Sequence, residues 1–73
     1  MNRLPILKPD EALHKLQRAG FEIDHVTGSH YVLRHEDGRR TVVPYHQRRD
    51  LKRRVLKAIL QQAGLTVEEF LDL

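Results

Sequence analysis

The sequence predicts an α+β domain of order α-β-β-β-α, closed by a short C-terminal helical turn. Three observations carry this. Two segments place apolar residues at helical spacing, and each ends at a glycine, Gly20 and Gly64. Between them lie three short runs rich in Val, Ile, Thr, Tyr and Phe, and the last two runs are separated by an Asp-Gly pair, a strong hairpin signal. With 73 residues and no linker or repeat, residues 1–73 form a single domain.

After a leader with Pro5, the first helix should begin at Pro9, a favoured first helical position, with Asp10 and Glu11 complementing the helix dipole. Ala12, Leu13, Leu16 and Ala19 supply its apolar stripe, and Phe21 should fold back on Leu16 past Gly20. From Phe21 the period shifts towards two, with Phe21 and Ile23 on one face and Glu22 and Asp24 on the other. Thr27-Gly28-Ser29 interrupts this first strand. His30–His35 and Arg40–Tyr45 form the second and third, completing an antiparallel meander. A two-residue turn at Asp37-Gly38 would set Arg34 opposite Thr41, Val32 opposite Val43 and His30 opposite Tyr45; a three-residue loop would shift this register by one.

The second helix should span roughly Asp50 to Ala63, with Leu51, Val55, Leu56, Ile59, Leu60 and Ala63 as its apolar face. Gly64 ends it and Leu65 packs back. Thr66-Val67-Glu68-Glu69 then fits a capping box, with Leu65 and Phe70 as its staple. Two amphipathic helices belong on one face of the three-stranded sheet, the order and size of a double-stranded-RNA-binding domain. Which sheet face is buried stays open, because Val32 with Leu33, and Val42 with Val43, put apolar groups on both sides.

A chain this short buries only about 60% of its unfolded surface, so its chemistry belongs on a surface or in a shallow groove. With no cysteine, disulfides and thiolate metal sites are excluded. No long apolar run points to a signal peptide or membrane span, and the expected location is the cytoplasm. Charge is unevenly spread. Residues 47 to 57 carry six basic side chains (Arg48, Arg49, Lys52, Arg53, Arg54, Lys57) against one acid, Asp50, while residues 61 to 73 carry three acids and no base. Such a concentration suits a polyanion.

Either hairpin register brings His30 and His46 to the same end of the sheet, where the basic segment begins. Cations at a helix start oppose its dipole, and a bound phosphate would reverse that penalty. An imidazole beside an RNA phosphate can take the proton of the 2′-hydroxyl, a group DNA lacks, and basic side chains can stabilise the charge that develops on phosphorus. The pattern therefore points to RNA cleavage without a metal cofactor. On residue types alone a histidine near a turn is more often a surface residue than a catalyst. A non-catalytic RNA-binding module using the same basic helix is the alternative. His14 and His25 read as surface residues, and His25, His30, His35 and His46 lack the close pairing of zinc motifs.

Taken together, "LHKLQRAGFE", "GSH", "HEDGRRTVVPYH" and "ILQQAGLTVEEFL" resemble, in order and spacing, the HicA toxins, messenger-RNA interferases of toxin–antitoxin pairs. The resemblance implies a double-stranded-RNA-binding-like fold, endoribonuclease activity inhibiting translation and growth, and neutralisation by a HicB-type antitoxin. It implies that His30 of Gly-Ser-His is essential, that Gly28 makes the turn presenting it, and that Ser29 orients it or touches phosphate. His46 is an auxiliary candidate, and Arg48, Arg49, Lys52, Arg53 and Lys57 are the RNA-binding candidates. Many family members open the second helix with Gly-Thr, where this chain has Arg54-Val55; losing that glycine is expected to start the helix a turn earlier, near Asp50.

Overall fold

The computed structural model describes residues 4–46 and 48–73. Its elements run α1 (Pro9–Arg18), β1 (Phe21–Thr27), β2 (His30–His35), β3 (Arg40–Pro44), α2 (Arg53–Ala63) and α3 (Val67–Leu71), and the strands form one antiparallel sheet in the order β1-β2-β3. The α+β order expected from the sequence is thus observed.

In α1, Ala12, Leu13 and Leu16 are buried and Glu11 accepts the backbone N–H of Lys8 at 3.3 Å, closing the helix start. The end of α2 shows both bonds of the glycine-terminated motif: the Gly64 N–H donates to the Gln61 carbonyl at 3.3 Å and the Leu65 N–H to Leu60 at 3.0 Å. The predicted capping box is formed, since the Glu69 N–H donates to the Thr66 hydroxyl at 3.1 Å and the Thr66 N–H to the Glu69 carboxylate at 2.9 Å. This turn seats Phe70 fully in the core.

The buried face of the sheet is the one bearing Phe21, Leu33 and Val43, which join Leu13 and Leu16 of α1 and Leu56, Ile59 and Leu60 of α2 in one cluster. Both helices therefore cover the same face. Thr41 sits there too, its hydroxyl satisfied by the Ile59 carbonyl at 3.2 Å and the Gln62 side-chain oxygen at 3.1 Å. Val32 is buried on the opposite face, outside that cluster. The leader contributes more than its sequence promised: Leu4 and Leu7 are buried, and the Leu51 N–H donates to the Leu7 carbonyl at 2.7 Å.

Two expectations are corrected. The β2–β3 register is that of a three-residue loop, with His30 opposite Pro44, Val32 opposite Val42 and Leu33 opposite Thr41. Asp37 causes the extra residue. Its carboxylate accepts the Arg39 backbone N–H at 3.0 Å and the Arg39 Nε–H at 2.8 Å, while the Gly38 N–H donates to His35 at 2.9 Å, so Glu36-Asp37-Gly38 closes as a turn followed by a glycine bulge. The second correction concerns α2, which begins at Arg53 and not near Asp50. Burial of Leu51 and its bridge to Leu7 hold that stretch extended, and this tertiary tie outweighs the helix propensity of residues 50–52.

β1 is also interrupted later than expected, running through Thr27, so the connection to β2 is only Gly28-Ser29. A bulge between Ile23 and His25 shifts its pairing.

Candidate nucleic-acid interface

The site begins with a turn. Thr27 pairs with His30, which leaves two residues to reverse the chain. Gly28 takes φ of 56° and Ser29, like every other non-glycine residue described, does not have positive φ. A first loop residue in the left-handed region followed by one of ordinary φ is the sign pattern of a II′ hairpin turn, which favours glycine first. A Cβ at Gly28 would meet nothing within 4 Å, so the glycine is required by its backbone angle and not by crowding.

This turn makes His30 the first residue of β2, exposed on the sheet face away from the helices, the face shared by Val32 and Arg34. Other strand histidines are already engaged. His25 Nδ1 lies 2.7 Å from Asp24 Oδ2, and His35 Nδ1 accepts the Asp37 N–H at 3.1 Å while its ring packs edge-on against Phe21 at 5.2 Å. The Asp24 carboxyl is held below its ordinary value by the His25 hydrogen bond, with Arg34 adding to it. His35, half-buried behind the hairpin tip, is structural.

Across the ladder from His30, Pro44 ends β3 and the Tyr45 N–H donates to the Ser29 carbonyl. His46 follows, exposed, and its carbonyl accepts the Arg49 N–H at 3.0 Å, turning the chain towards α2. Pro44, His46, Arg49, Asp50, Leu51, Lys52, Arg54 and Val55 enclose a surface hollow of about 280 Å³. Its mouth combines a histidine and three cations with one acid, and it adjoins His30 through the His30–Pro44 pair. α2 strengthens the cationic field: its first turn has no acid, Lys52 makes no side-chain cap, and the first amides of any helix lack intrahelical acceptors.

The basic candidates therefore divide. Arg49 and Lys52 line the hollow; Arg48 and Lys57 are exposed but do not line it. Arg53 turns the other way, its Nε–H donating to the Leu4 carbonyl at 2.9 Å beside a second hollow with Ile6. Arg54, not singled out from the sequence, lines the hollow instead. It does so together with residues 50–52, whose extended path before α2 forms the other wall of the hollow. A larger depression of about 520 Å³ at the opposite end of the sheet is lined by Glu22, Asp24, Glu36 and Arg34 among others, an acidic set unsuited to phosphate. Among the described residues, no group of three or more His, Asp or Glu side chains could hold a metal ion.

These features define a small α+β protein with a histidine-bearing cationic corner, a class suited to polyanions. The profile of the HicA toxin of bacterial toxin–antitoxin systems matches residues 9–65, from the start of α1 past the end of α2, and the chain belongs to the HicA toxin family. Membership gives it the toxin role in such a pair and implies an antitoxin partner. No curated protein matches the sequence significantly. No helix among the described residues is long and apolar enough to cross a membrane.

Proposed function

We propose that this toxin is a metal-independent endoribonuclease acting on messenger RNA in the cytoplasm, with His30 as general base. The observation that carries the reading is the adjacency of an exposed His30 to the cationic hollow through its partner Pro44. An RNA phosphate held by Arg49, Lys52 and Arg54 brings the neighbouring ribose to His30. The imidazole takes the 2′-hydroxyl proton, the 2′-oxygen bonds to phosphorus, and the bond to the 5′-oxygen breaks. The products are a 2′,3′-cyclic phosphate and a 5′-hydroxyl, the leaving oxygen taking its proton from His46 or water. Arg48 and Lys57 extend the field along the RNA, Gly28 presents His30, and Ser29 steadies the turn, while Arg53 stays with the Leu4 carbonyl. A HicB-type antitoxin silences the enzyme by covering this corner, most simply with an acidic surface.

Incubating the purified chain with single-stranded RNA, with and without chelator, beside His30→Ala tests this reading. Cleavage that survives chelator and vanishes in the variant is expected. Cleavage undiminished by His30→Ala removes His30 from the chemistry; salt-sensitive binding with RNA left intact makes the chain a non-catalytic RNA-binding module.

A further inference from the structure

The chain has two tyrosines, two phenylalanines and no tryptophan. Phe21 and Phe70 are 1% and 0% exposed, so the only aromatic rings of this kind that solvent can reach are Tyr31 and Tyr45, both half-buried. Both stand beside the proposed reaction centre. Tyr31 follows His30, and Tyr45 follows Pro44, the partner of His30. Because Tyr31 pairs with Val43, Tyr45 is its diagonal neighbour, and the ring centroids are 5.0 Å apart at a tilt of 36°. Val26, 49% exposed and paired with Tyr31, extends the apolar surface sideways. The rings emerge on the helix-covered side of the sheet and His30 on the other, so together they straddle the end of the β2–β3 hairpin.

Asp10 completes the group. The Tyr45 hydroxyl donates to Asp10 Oδ1 at 2.7 Å, which fixes the ring and places a carboxylate at its rim. Among the described residues, the second oxygen of that carboxylate takes no hydrogen bond. A partly exposed aromatic pair edged by a hydrogen-bond acceptor fits one ligand chemistry well: a nucleobase stacked on the ring and read at its amino group.

We propose that Tyr31 and Tyr45 form the base subsite of this toxin, receiving the nucleobase next to the ribose at His30, and that Asp10 biases it towards bases carrying an exocyclic amino group over uracil. The inference rests on the ribonuclease reading above and adds its substrate specificity. The sugar-phosphate backbone lies against His30 and the cationic hollow, and the base turns over the sheet end onto Tyr45. A merely structural Tyr45–Asp10 tie between β3 and α1 would confer no base preference.

The absence of tryptophan makes the test direct, because the intrinsic fluorescence of the chain comes from these two rings. Short single-stranded 2′-O-methyl oligomers of A, C or U cannot be cleaved by the 2′-hydroxyl route and report binding alone. Binding is followed by the anisotropy of an end-labelled oligomer and, in parallel, by tyrosine emission. Emission should be quenched in proportion to occupancy, and the A and C oligomers should bind more tightly than U. Tyr31→Phe and Tyr45→Phe each keep the fold and both rings and leave one emitter, which should still be quenched. Tyr45→Leu should weaken binding roughly tenfold or more, the usual range for one lost stacking partner, and Asp10→Asn should narrow the preference over U. If the oligomers bind in a salt-sensitive way while emission is unchanged and Tyr45→Leu binds as wild type, the base lies elsewhere and the subsite is refuted, with the RNA reading intact. If no oligomer binds even at low salt, both fall.

Discussion

His30 asks little of the fold and much of the chemistry, and the two demands separate in an experiment. Its ring is exposed, so His30→Ala should change the denaturation midpoint negligibly, as exposed substitutions usually do within about 0.5 kcal/mol, while cleavage falls by roughly 10²–10⁴-fold, the usual contribution of a general base. Gly28 is the converse case. With φ of 56° and empty space around its absent Cβ, Gly28→Ala should cost about 1–2 kcal/mol of backbone strain, whereas Gly28→Asn should recover part of it because asparagine follows glycine at the positive-φ positions of primed turns. Urea denaturation of the two variants checks the difference. The hydrogen bond to Asp10 raises the Tyr45 hydroxyl above its ordinary value. The bonded form is the protonated one, so this contribution is complete below the unfolded value of about 10 and is lost as pH rises through the folded value. Wild type should therefore lose stability in alkali faster than Tyr45→Phe, measured by denaturation midpoints across that range. At this scale Gly-Ser-His was legible in the sequence and Arg54 was not, because the hollow it lines is completed by residues 50–52, an extended stretch that the sequence pattern reads as the beginning of α2.

That beginning was decided at the scale of elements. Residues 50–52 carry helical periodicity, yet Leu51 serves the core better as an extended residue bridged to Leu7, a contact between segments far apart in the chain that no local pattern reveals. The hairpin register failed to appear for a similar reason: Asp-Gly is compatible with a two- or three-residue loop, and the choice rests on the grip of Asp37 on Arg39, reinforced by the Arg39 side chain donating to the Ala63 carbonyl at 2.7 Å. The bulge in β1 did leave a trace, since its apolar residues move from odd positions, Phe21 and Ile23, to the even position Val26. Where local chemistry alone fixes an element, the sequence was sufficient. The Thr66–Glu69 box is such a case. Thr66→Ala should lower stability by about 1 kcal/mol, the usual cost of a lost cap, and loosen the turn that carries Phe70. Glu69 accepts the Thr66 N–H and its carboxyl lies below its ordinary value, so this half of the box is present at neutral pH and is lost as pH falls through the folded value. The gap between wild type and a Glu69→Gln variant should accordingly close in acid, as read by urea midpoints.

For the whole molecule the governing fact is how a net charge of only +3 is distributed. The hollow beside His30 gathers Arg49, Lys52 and Arg54 around a single acid, whereas the depression at the far end of the sheet is lined by Glu22, Asp24 and Glu36. A polyanion approaching this domain meets stronger attraction at the end bearing the hollow than at the far end, where acids and arginines are interspersed, and this favours one orientation before contact. The sequence disclosed the linear form of this asymmetry, because the cations are contiguous there. It did not disclose that Arg53 would leave the cluster for the Leu4 carbonyl, a loss that follows from packing of the leader. The size of the cluster sets a number that can be measured. If three cations each neutralise one phosphate, the logarithm of the single-stranded RNA binding constant should fall with the logarithm of salt concentration at a slope of about −2, and Arg54→Gln should reduce its magnitude by roughly 0.7. Arg53→Gln should leave the slope nearly unchanged if its side chain stays committed to Leu4. Equal slope losses in the two variants would mean that the RNA follows the exposed basic segment as a whole and that the hollow has no privileged part in holding phosphate.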